Sequence, residues 1–581
     1  MSFARAEVRH HNGVPTIFVD GQPLHRVAMT GCALDEPAAA RALIEDGADA
    51  LLLPIEAGTH CWMGEGSYDW SHAEKRLAFL EQHGGGTRWL IRLRLDLLAP
   101  WFAQAYPFEV HSLPCTSSDS QSWIPDLNQQ SAISNPQSVA VANIASPIWN
   151  EKVCGLVRDF VSWLRATRWA PRTIGFMLNA GSNDEWLILD SDETTRGRYH
   201  PVYTREFRNW LRRTYREEAT LRAAWNDPSA SFETATCPTG HMRNGSHARG
   251  PFSLRDPAAE RPAIDYYRFL STTLADHFAA VCRAAKEAAG GPILCGGFGD
   301  PLWRESGVYS YAQERGHCLT QRLKECPWVD FLSLSDLGRR AASEVALVCS
   351  EETPLFQAAM SEELLGCELA CHRPLLLGAA QEQWRLTGVA FDTYELHDLA
   401  RSDFPGGQYR LFIFVNCARV SERAAEGVRR WRNDDRVFCW TYAPAVLDER
   451  RLDPAIGSEL IGMRLGWKRE RRQIRVLVDD SGYVLTRGGE QLSFGTEGSV
   501  GPVFFADDPE ACVFGRLRDG GEAAFALRHH DGWKSVYLAM LNFGPQLLRN
   551  LARFAGARVE PASDATHSPP CGTAPLQRHR S

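Results

Sequence analysis

Lysine is scarce in this chain of 581 residues, of which 63 are basic and only 6 are lysine. Because 71 residues are acidic, the formal net charge is −8, and the chain lacks the basic excess of nucleic-acid-binding proteins. It also lacks any apolar run long enough to form a membrane-spanning helix. Residues 1–14 are polar and show no secretory signal pattern. These absences predict a cytoplasmic protein that binds neither nucleic acid nor membranes.

Cysteine is present but not dense, with 16 residues in the whole chain. Most stand singly inside apolar runs, as Cys282 and Cys295 do, which predicts small buried side chains in a reducing compartment. The closest pair, Cys367 and Cys371 followed by His372, has no second pair at zinc-finger spacing. We therefore expect neither a metal nor an organic cofactor.

The composition is that of a large globular protein, with 44% apolar and 23% charged residues. A single (β/α) barrel uses about 250 residues, so the length predicts three domains. Near the N-terminus, turns at Asn12-Gly13 and Asp20-Gly21 separate short apolar runs, which predicts a β-hairpin.

From about residue 24, apolar strands alternate with amphipathic helices. This alternation predicts a parallel sheet of the TIM-barrel type, which together with the hairpin occupies residues 1–340. Six strands are predicted there, at 25–30, 50–55, 89–95, 173–179, 292–298 and 329–333.

A second α/β unit begins after the alternation pauses near residue 340. Strands predicted at 344–349, 391–395, 411–415 and 437–442, with helices between them, indicate a doubly wound three-layer domain over residues 341–465. Residues 466–560 are typical of a small mixed or β-rich region, and residues 561–581 of a disordered tail. The predicted fold class is α/β: a TIM-type barrel, a doubly wound domain and a small β-rich part.

The clearest chemical signal follows the fourth predicted strand, in the segment from Asn179 to Trp186. In a barrel, residues after the carboxyl ends of the strands line the active site. A carboxylic acid beside an indole can be desolvated and so suited to act as a general acid, which makes Glu185 the candidate catalytic residue. The alternative is that Glu185 caps the next helix or is a solvated loop residue.

Aromatic residues follow several of the predicted strands, which favours a ligand cleft because aromatic faces stack on sugar rings. The alternative for each of them is ordinary packing between helices and barrel. The candidates for substrate contact lie at and after the ends of strands three and four, namely Arg94, Asp96, Trp101, Asn179, Asp184 and Trp186.

Six segments of the first part of the chain carry a family resemblance, namely Gly13–Pro23, Gly66–Trp70, Ala145–Trp149, Gly181–Trp186, Phe207–Leu211 and Leu221–Trp225. Two later segments, Tyr409–Asn416 and Trp440–Pro444, add to it. In this order, over roughly residues 12–560, the first six resemble clan-A glycoside hydrolases, in particular the family-42 type of β-galactosidase. The two later segments are similar to the amidotransferase-like trimerisation domain that follows the barrel in that family. No cysteine stands in a Gly-x-Cys-x-Gly elbow, so we expect no glutaminase chemistry.

The resemblance implies that Glu185 is the general acid/base. Where the family often has Asn before this Glu, the present chain has Asp184, and Asn183 stands one place further back. A retaining glycosidase needs a second carboxylate about 5–5.5 Å from the first. In the family that residue ends strand seven, whereas here strands seven and eight look absent.

Three carboxylates remain as possible partners for Glu185. Glu351 and Glu352 would qualify if residues 345–349 were strand seven instead of the first strand of the next domain, and Asp336 follows strand six. Two functions stay open. One is a β-galactosidase-like glycoside hydrolase; the other is an inactive descendant that binds carbohydrate or serves as an assembly scaffold. The trimerisation-type domain implies a homo-oligomer such as a trimer.

Overall fold

Two large β-sheets organise the part of the chain that the structure describes. The structure is a computed structural model, and it describes residues 2–11, 14–24, 26–28, 37–95, 100–114, 138–181, 185–188, 201–239, 242–243, 253–299, 309–333, 343–358, 388–479 and 481–560.

The first sheet is parallel and has the strand order β12-β11-β8-β5-β4. Beyond β12, Phe331 forms a single parallel bridge with Gly296. A separate antiparallel sheet, β1-β2-β3, precedes it in the chain. The strands up to this point are β1 Ala6–His11, β2 Val14–Val19, β3 Gln22–Leu24, β4 Val27–Ala28, β5 Ala50–Glu56, β6 Trp62–Gly64, β7 Ser67–Tyr68, β8 Arg88–Arg94, β9 Val110–Pro114, β10 Ser138–Ala142, β11 Thr173–Asn179 and β12 Leu294–Gly296.

Helices connect and cover these strands, and their ends follow from local sequence. The longest, Pro257–Ala289, begins where the Asp256 side chain accepts a hydrogen bond from the Ala258 amide and ends at Gly290, whose φ of 67° suits glycine. The helices of this part are α1 Pro37–Glu45, α2 Ser71–His83, α3 Pro100–Ala105, α4 Pro147–Ala166, α5 Pro201–Tyr215, α6 Glu218–Trp225, α7 Pro257–Ala289, α8 Tyr309–Arg315 and α9 Gln321–Lys324.

The N-terminal hairpin closes the amino end of the first sheet. The Ala4 amide donates to the Thr173 carbonyl and the Ala6 amide to the Pro292 carbonyl, both at the start of a parallel strand or just before it. Ile17 of the hairpin packs in one apolar cluster with Leu52 and Leu90 of the sheet. The carboxyl end of the sheet is therefore the end left for a site.

The second sheet has a parallel core in the order β14-β13-β15-β16-β23, continued by antiparallel strands β22, β21, β18 and β19. Its strands are β13 Val345–Cys349, β14 Asp392–Glu395, β15 Leu411–Val415, β16 Arg436–Thr441, β17 Leu465–Lys468, β18 Arg472–Val478, β19 Phe494–Val500, β20 Val503–Ala506, β21 Cys512–Leu517, β22 Ala523–His530 and β23 Trp533–Leu538. The helices of this part are α10 Thr353–Phe356, α11 Glu422–Arg430, α12 Ser458–Ile461 and α13 Pro545–Phe554.

The mixed α/β class with a parallel sheet is confirmed, and strand four has the predicted bounds Thr173–Asn179. Residues 345–349 pair with β14 and β15 in the second sheet, not with the first. The strands after residue 465 join this same sheet, whereas the sequence suggested a separate small part. The residues between the strands predicted at 344–349 and 391–395, where helices were expected, fall largely outside the described residues, as do the tail and Cys367, Cys371 and His372.

Cysteines of the described part are free thiols, and Cys282, Cys295, Cys349 and Cys439 are buried as predicted. No helix among the described residues is both long and apolar enough to cross a membrane.

Candidate active site

Three polar residues end neighbouring strands of the first sheet at the same level. Glu56 is the register partner of Arg94, and Arg94 is the partner of Asn179. In a parallel sheet, partners in register point to the same face, so these side chains form one layer. We call the end of the sheet where they lie the carboxyl edge. Of the described residues that end the five strands, Glu56 is the one carboxylate.

Glu56 is an ionised, partly accessible group. His72 Nε2, at the start of α2, donates to Glu56 Oε2 over 2.8 Å, and Arg94 Nη1 lies 3.9 Å from Glu56 Oε1. Burial acts to raise the pKa of Glu56, but the His72 hydrogen bond and the charge of Arg76 outweigh it and lower this pKa to about 2. The Glu56 side chain keeps 19% of its surface exposed and that of Arg94 25%.

A π-helical turn, Ala57–Cys61, follows β5 directly and places His60 against His72 with ring centroids 4.6 Å apart. Such turns are rare and occur frequently at functional sites. Glu56 and His72 were not predicted from the sequence. The available signal was a charged residue placed directly after the buried run Leu51–Ile55.

Asn179 is buried at the carboxyl edge and ties three strands together. Its Nδ2 donates to the Gly297 carbonyl over 3.2 Å, and its own carbonyl accepts from the Leu95 amide over 2.7 Å. Asn179 thus fixes the chain that leaves strands three and five, as well as ending strand four.

Glu185 is half-buried and is held by the turn that follows β12. Gly299 has a φ of 115°, and a Cβ at this position would lie 2.9 Å from Glu185 Cγ. Gly181, with a φ of 87°, likewise lies so close that a Cβ would be 2.5 Å from the Glu185 carbonyl oxygen. Only glycine allows both close approaches, so the two glycines position Glu185 at the carboxyl edge.

Trp186 is fully buried and does not face a ligand, which corrects the sequence expectation. Its Nε1 donates to the Leu178 carbonyl over 2.8 Å, and its ring packs against Trp149 and Phe278. His317 Nε2 donates to the Trp186 carbonyl over 2.6 Å, and burial lowers the pKa of this histidine to about 4, so it stays neutral. Trp186 therefore anchors the segment that carries Glu185.

Of the remaining residues that were predicted to contact a substrate, one, Trp101, lies in the described part of the chain. Trp101 is half-buried in α3, with its ring 4.9 Å from that of Trp62 and 6.4 Å from that of Tyr106. Asp96 and Asp184 lie outside the described residues, as does Asn183.

Two of the three alternative partner carboxylates, Glu351 and Glu352, lie in the described part of the chain. Asp336 is outside the described residues. Glu351 is 1% exposed and accepts from the amides of Thr320 and Gln321, over 2.9 and 2.8 Å. Glu351 and Glu352 follow β13, so they belong to the carboxyl end of the second sheet.

Glu351 belongs to a buried cluster of polar side chains. This cluster contacts Thr320 and Gln321, which belong to the part of the chain before β13. Glu351, Glu395 and His397 offer ligand atoms within 4.8 Å of one another, and they are the one group of this kind among the described residues. All three are engaged by the protein itself. The Glu351 amide donates to Glu395, the His397 amide donates to Glu395 over 2.6 Å, and His397 Nε2 pairs with Ser421 Oγ over 2.9 Å. We call Glu351, Glu395 and His397 the junction cluster.

Charge is distributed unusually in the junction cluster. Burial and the neighbouring Glu395 raise the pKa of Glu351 well above its usual range. Burial acts to lower the pKa of His397, but the hydrogen bond with Glu395 and the negative charges around it raise this pKa to about 9. A protonated His397 forms an ion pair with Glu395, with 3.2 Å between His397 Nδ1 and Glu395 Oε2.

Comparison with solved structures shows a glycoside hydrolase-like fold. Three of the structures it resembles are β-galactosidases. That of Bacillus circulans sp. alkalophilus is 13% identical, with 96% of this chain and 90% of that chain covered and a TM-score of 0.58. That of Rahnella sp. R3 is 14% identical, with 95% and 90% covered and a TM-score of 0.54. Gan42B, a GH42 β-galactosidase from G. stearothermophilus, is 13% identical, with 92% and 88% covered and a TM-score of 0.57. No family model and no curated protein matches the sequence.

Proposed function

We propose that this protein is a β-galactosidase-like glycoside hydrolase whose general acid/base is Glu185. The observation that carries the proposal is the likeness of fold over 96% of the chain, combined with a half-buried carboxyl group held at the carboxyl edge. The proposal includes closure of the first sheet as a TIM-type barrel, an amidotransferase-like second unit, a cytoplasmic location and a homo-oligomer.

In this proposal Glu185 donates a proton to the glycosidic oxygen as the bond between that oxygen and the anomeric carbon breaks. Arg94, which keeps a quarter of its side chain exposed, supplies a guanidinium to sugar hydroxyls, and the buried Asn179 holds the neighbouring strand ends in place. Trp101 and Asp96 flank the end of the third strand, and Asp184 precedes the acid. The ligand is therefore a carbohydrate.

The test is hydrolysis of a panel of nitrophenyl glycosides by the wild type and by Glu185→Gln. We expect the variant to lose turnover by roughly 10³-fold, because the amide cannot donate a proton to the leaving group. Melting should be nearly unchanged, since Glu185 is half-buried and glutamine has almost the same shape.

The matched control is Glu74→Gln, which changes an exposed carboxylate on α2. This control should retain full turnover. Wild-type turnover in Glu185→Gln would remove Glu185 from the mechanism. Absence of turnover on every glycoside, together with binding of a sugar, would favour the non-catalytic carbohydrate-binding protein.

A further inference from the structure

A cleft of about 540 Å³ opens beside the second sheet, within the range of roughly 300–1,000 Å³ in which small ligands bind. It lies between β17, α12 and the segment that follows β20, and we call it the Trp467 cleft. All of its lining residues belong to the part of the chain from 453 to 528, so it is separate from the carboxyl edge. Its charged and aromatic lining residues are Asp453, Glu459, Arg464, Trp467, Asp508 and Arg528.

Trp467 gives the cleft a flat apolar surface. It is half-buried on β17, directly opposite the buried Phe504 of β20, and the two rings are nearly parallel, with 7° between their planes and 6.1 Å between their centroids. Phe504 therefore supports the indole from within the protein. The Arg469 guanidinium lies 4.8 Å from the indole centroid, and because Arg469 is exposed, the ring of a ligand can take its place there.

Asp508 organises the polar part of the cleft. Its Oδ2 accepts from Arg528 Nη1 over 2.6 Å and from the Arg464 amide over 2.9 Å, and its side chain is 3% exposed. The Arg464 guanidinium in turn lies 3.4 Å from the carboxylate of Asp507. Both arginine side chains keep exposed surface, so a ligand in the cleft can reach them.

The other acidic lining residues are paired in the same way. Asp453 Oδ2 lies 3.3 Å from Arg451 Nη1, and the Glu459 carboxylate lies 3.0 Å from Arg429 and 3.0 Å from Arg432. Because these charges are already balanced, the lining disfavours anionic ligands and metal ions. It does offer oriented carboxylate acceptors and guanidinium donors, which bind neutral hydroxyl groups.

We propose that the Trp467 cleft binds a neutral carbohydrate chain and so holds the protein on a polysaccharide. The C–H groups on one face of a pyranose ring stack on the indole, and the hydroxyl groups around its edge pair with the charged lining. The inference goes beyond the proposed function and does not depend on Glu185. In a glycoside hydrolase, such a second contact raises the effective concentration of the chain at the active site.

Affinity electrophoresis of the full-length protein, in gels that contain galactan, glucan, xylan or mannan, measures this binding. We expect at least one of these neutral polysaccharides to retard the wild type. Trp467→Ala should bind that polysaccharide at least about tenfold more weakly, because tryptophan is among the residues that contribute most to binding. Its turnover on nitrophenyl glycosides should equal that of the wild type, since these small substrates need only the active site.

Trp328→Ala is the matched control. Trp328 is also half-buried and has the guanidinium of Arg283 over its ring, but it does not line the cleft, so this variant should bind as the wild type does. Ala455→Leu tests the cleft without removing a packed side chain, and it replaces Trp467→Ala if that variant does not fold. Ala455 is exposed and lines the cleft, so the larger side chain should also weaken binding.

The outcomes separate this proposal from the proposed function. Folded Trp467→Ala that binds within about twofold of the wild type overturns the cleft as the site. A wild type that none of the four polysaccharides retards overturns it too. Stronger retardation by the anionic polysaccharide heparin, lost on addition of salt, overturns the choice of a neutral ligand. Binding that Trp467→Ala loses, without turnover on any glycoside, supports the cleft and overturns the hydrolase.

Discussion

The carboxyl ends of the two parallel sheets carry similar residues in opposite environments. At the first, Glu56 pairs with His72, both are partly exposed, and the carboxylate has a lowered pKa. At the second, Glu395 pairs with His397, both are buried, and Glu351 beside them has a raised pKa. The difference lies in what covers each end. The start of α9 seals the second, through Thr320 and Gln321.

Charged residues that follow parallel strands therefore do not by themselves mark an active site. A carboxylate that accepts three donors of a neighbouring segment, as Glu351 does, has a structural role. One that keeps accessible surface beside a cleft can act on a ligand. Three measurements test this difference between the two sheets.

Replacement of Glu351 should have the largest effect. In Glu351→Ala, the amides of Thr320 and Gln321 and the Thr320 hydroxyl lose their acceptor in a buried place, so we expect a loss of about 3 kcal/mol in the free energy of unfolding. Urea denaturation measures it.

Glu351→Gln retains an acceptor oxygen and should lose less. Glu422→Ala, which changes an exposed residue of α11, should leave the stability nearly unchanged. Equal stabilities of Glu351→Ala and wild type would mean that the junction cluster does not hold the two parts together.

Replacement of Gly299 tests the first site without changing a charged group. The new Cβ of Gly299→Ala would lie 2.9 Å from Glu185 Cγ, and the φ of 115° disfavours any other residue, so Glu185 must shift. A misplacement of this size costs about 10²-fold in turnover. Gly21→Ala is the control, because it also has a positive φ, of 82°, with no atom near the added Cβ. Turnover that is equal in the two variants would show that the position of Glu185 does not matter.

A change of pH should have opposite effects on the stability that the carboxyl ends of the two sheets contribute. The folded pKa of His397, about 9, is above its ordinary value of 6.5, so its contribution to stability is complete below pH 6.5 and is lost as the pH rises through 9. The raised pKa of Glu351 acts in the same direction. The lowered pKa of Glu56 does the opposite: its contribution is present above pH 4.5 and is lost as the pH falls to about 2.

We expect the melting temperature to fall modestly between pH 6.5 and 9, and His397→Gln to flatten this decline. His72→Leu should leave it unchanged, because His72 belongs to the other end. The same slope in His397→Gln as in wild type would contradict the assignment.

The bounds of a strand were predicted correctly where the pattern of its own residues determines them. Residues 173–179 are apolar up to Asn179, and the predicted bounds agree with the structure. Strand five was predicted over seven residues but has only Leu294–Gly296, because Gly297, with a φ of 110°, turns the chain away. Of strand one, predicted over residues 25–30, the described part is Val27–Ala28, which pairs with β5.

The site depended on contacts between residues far apart in sequence. Glu185 could be proposed from its own segment, but the face of Trp186 could not, because the Leu178 carbonyl and the ring of Phe278 decide it. Glu56 was missed because strand two was predicted to end at Ile55. Its relation to Arg94 arises only from the pairing of β5 with β8.

The position of β23 has a consequence for how the chain is made. This strand, Trp533–Leu538, is the fifth of the parallel core, yet its partner Arg436–Thr441 leaves the ribosome almost a hundred residues earlier. Until then the β16 edge, with Phe438 and Trp440, has no strand to cover it. During synthesis the first sheet can therefore form before the second is complete. Over that interval the edge of β16 has unpaired backbone groups beside Phe438 and Trp440, and such an edge can bind a chaperone or another copy of the chain.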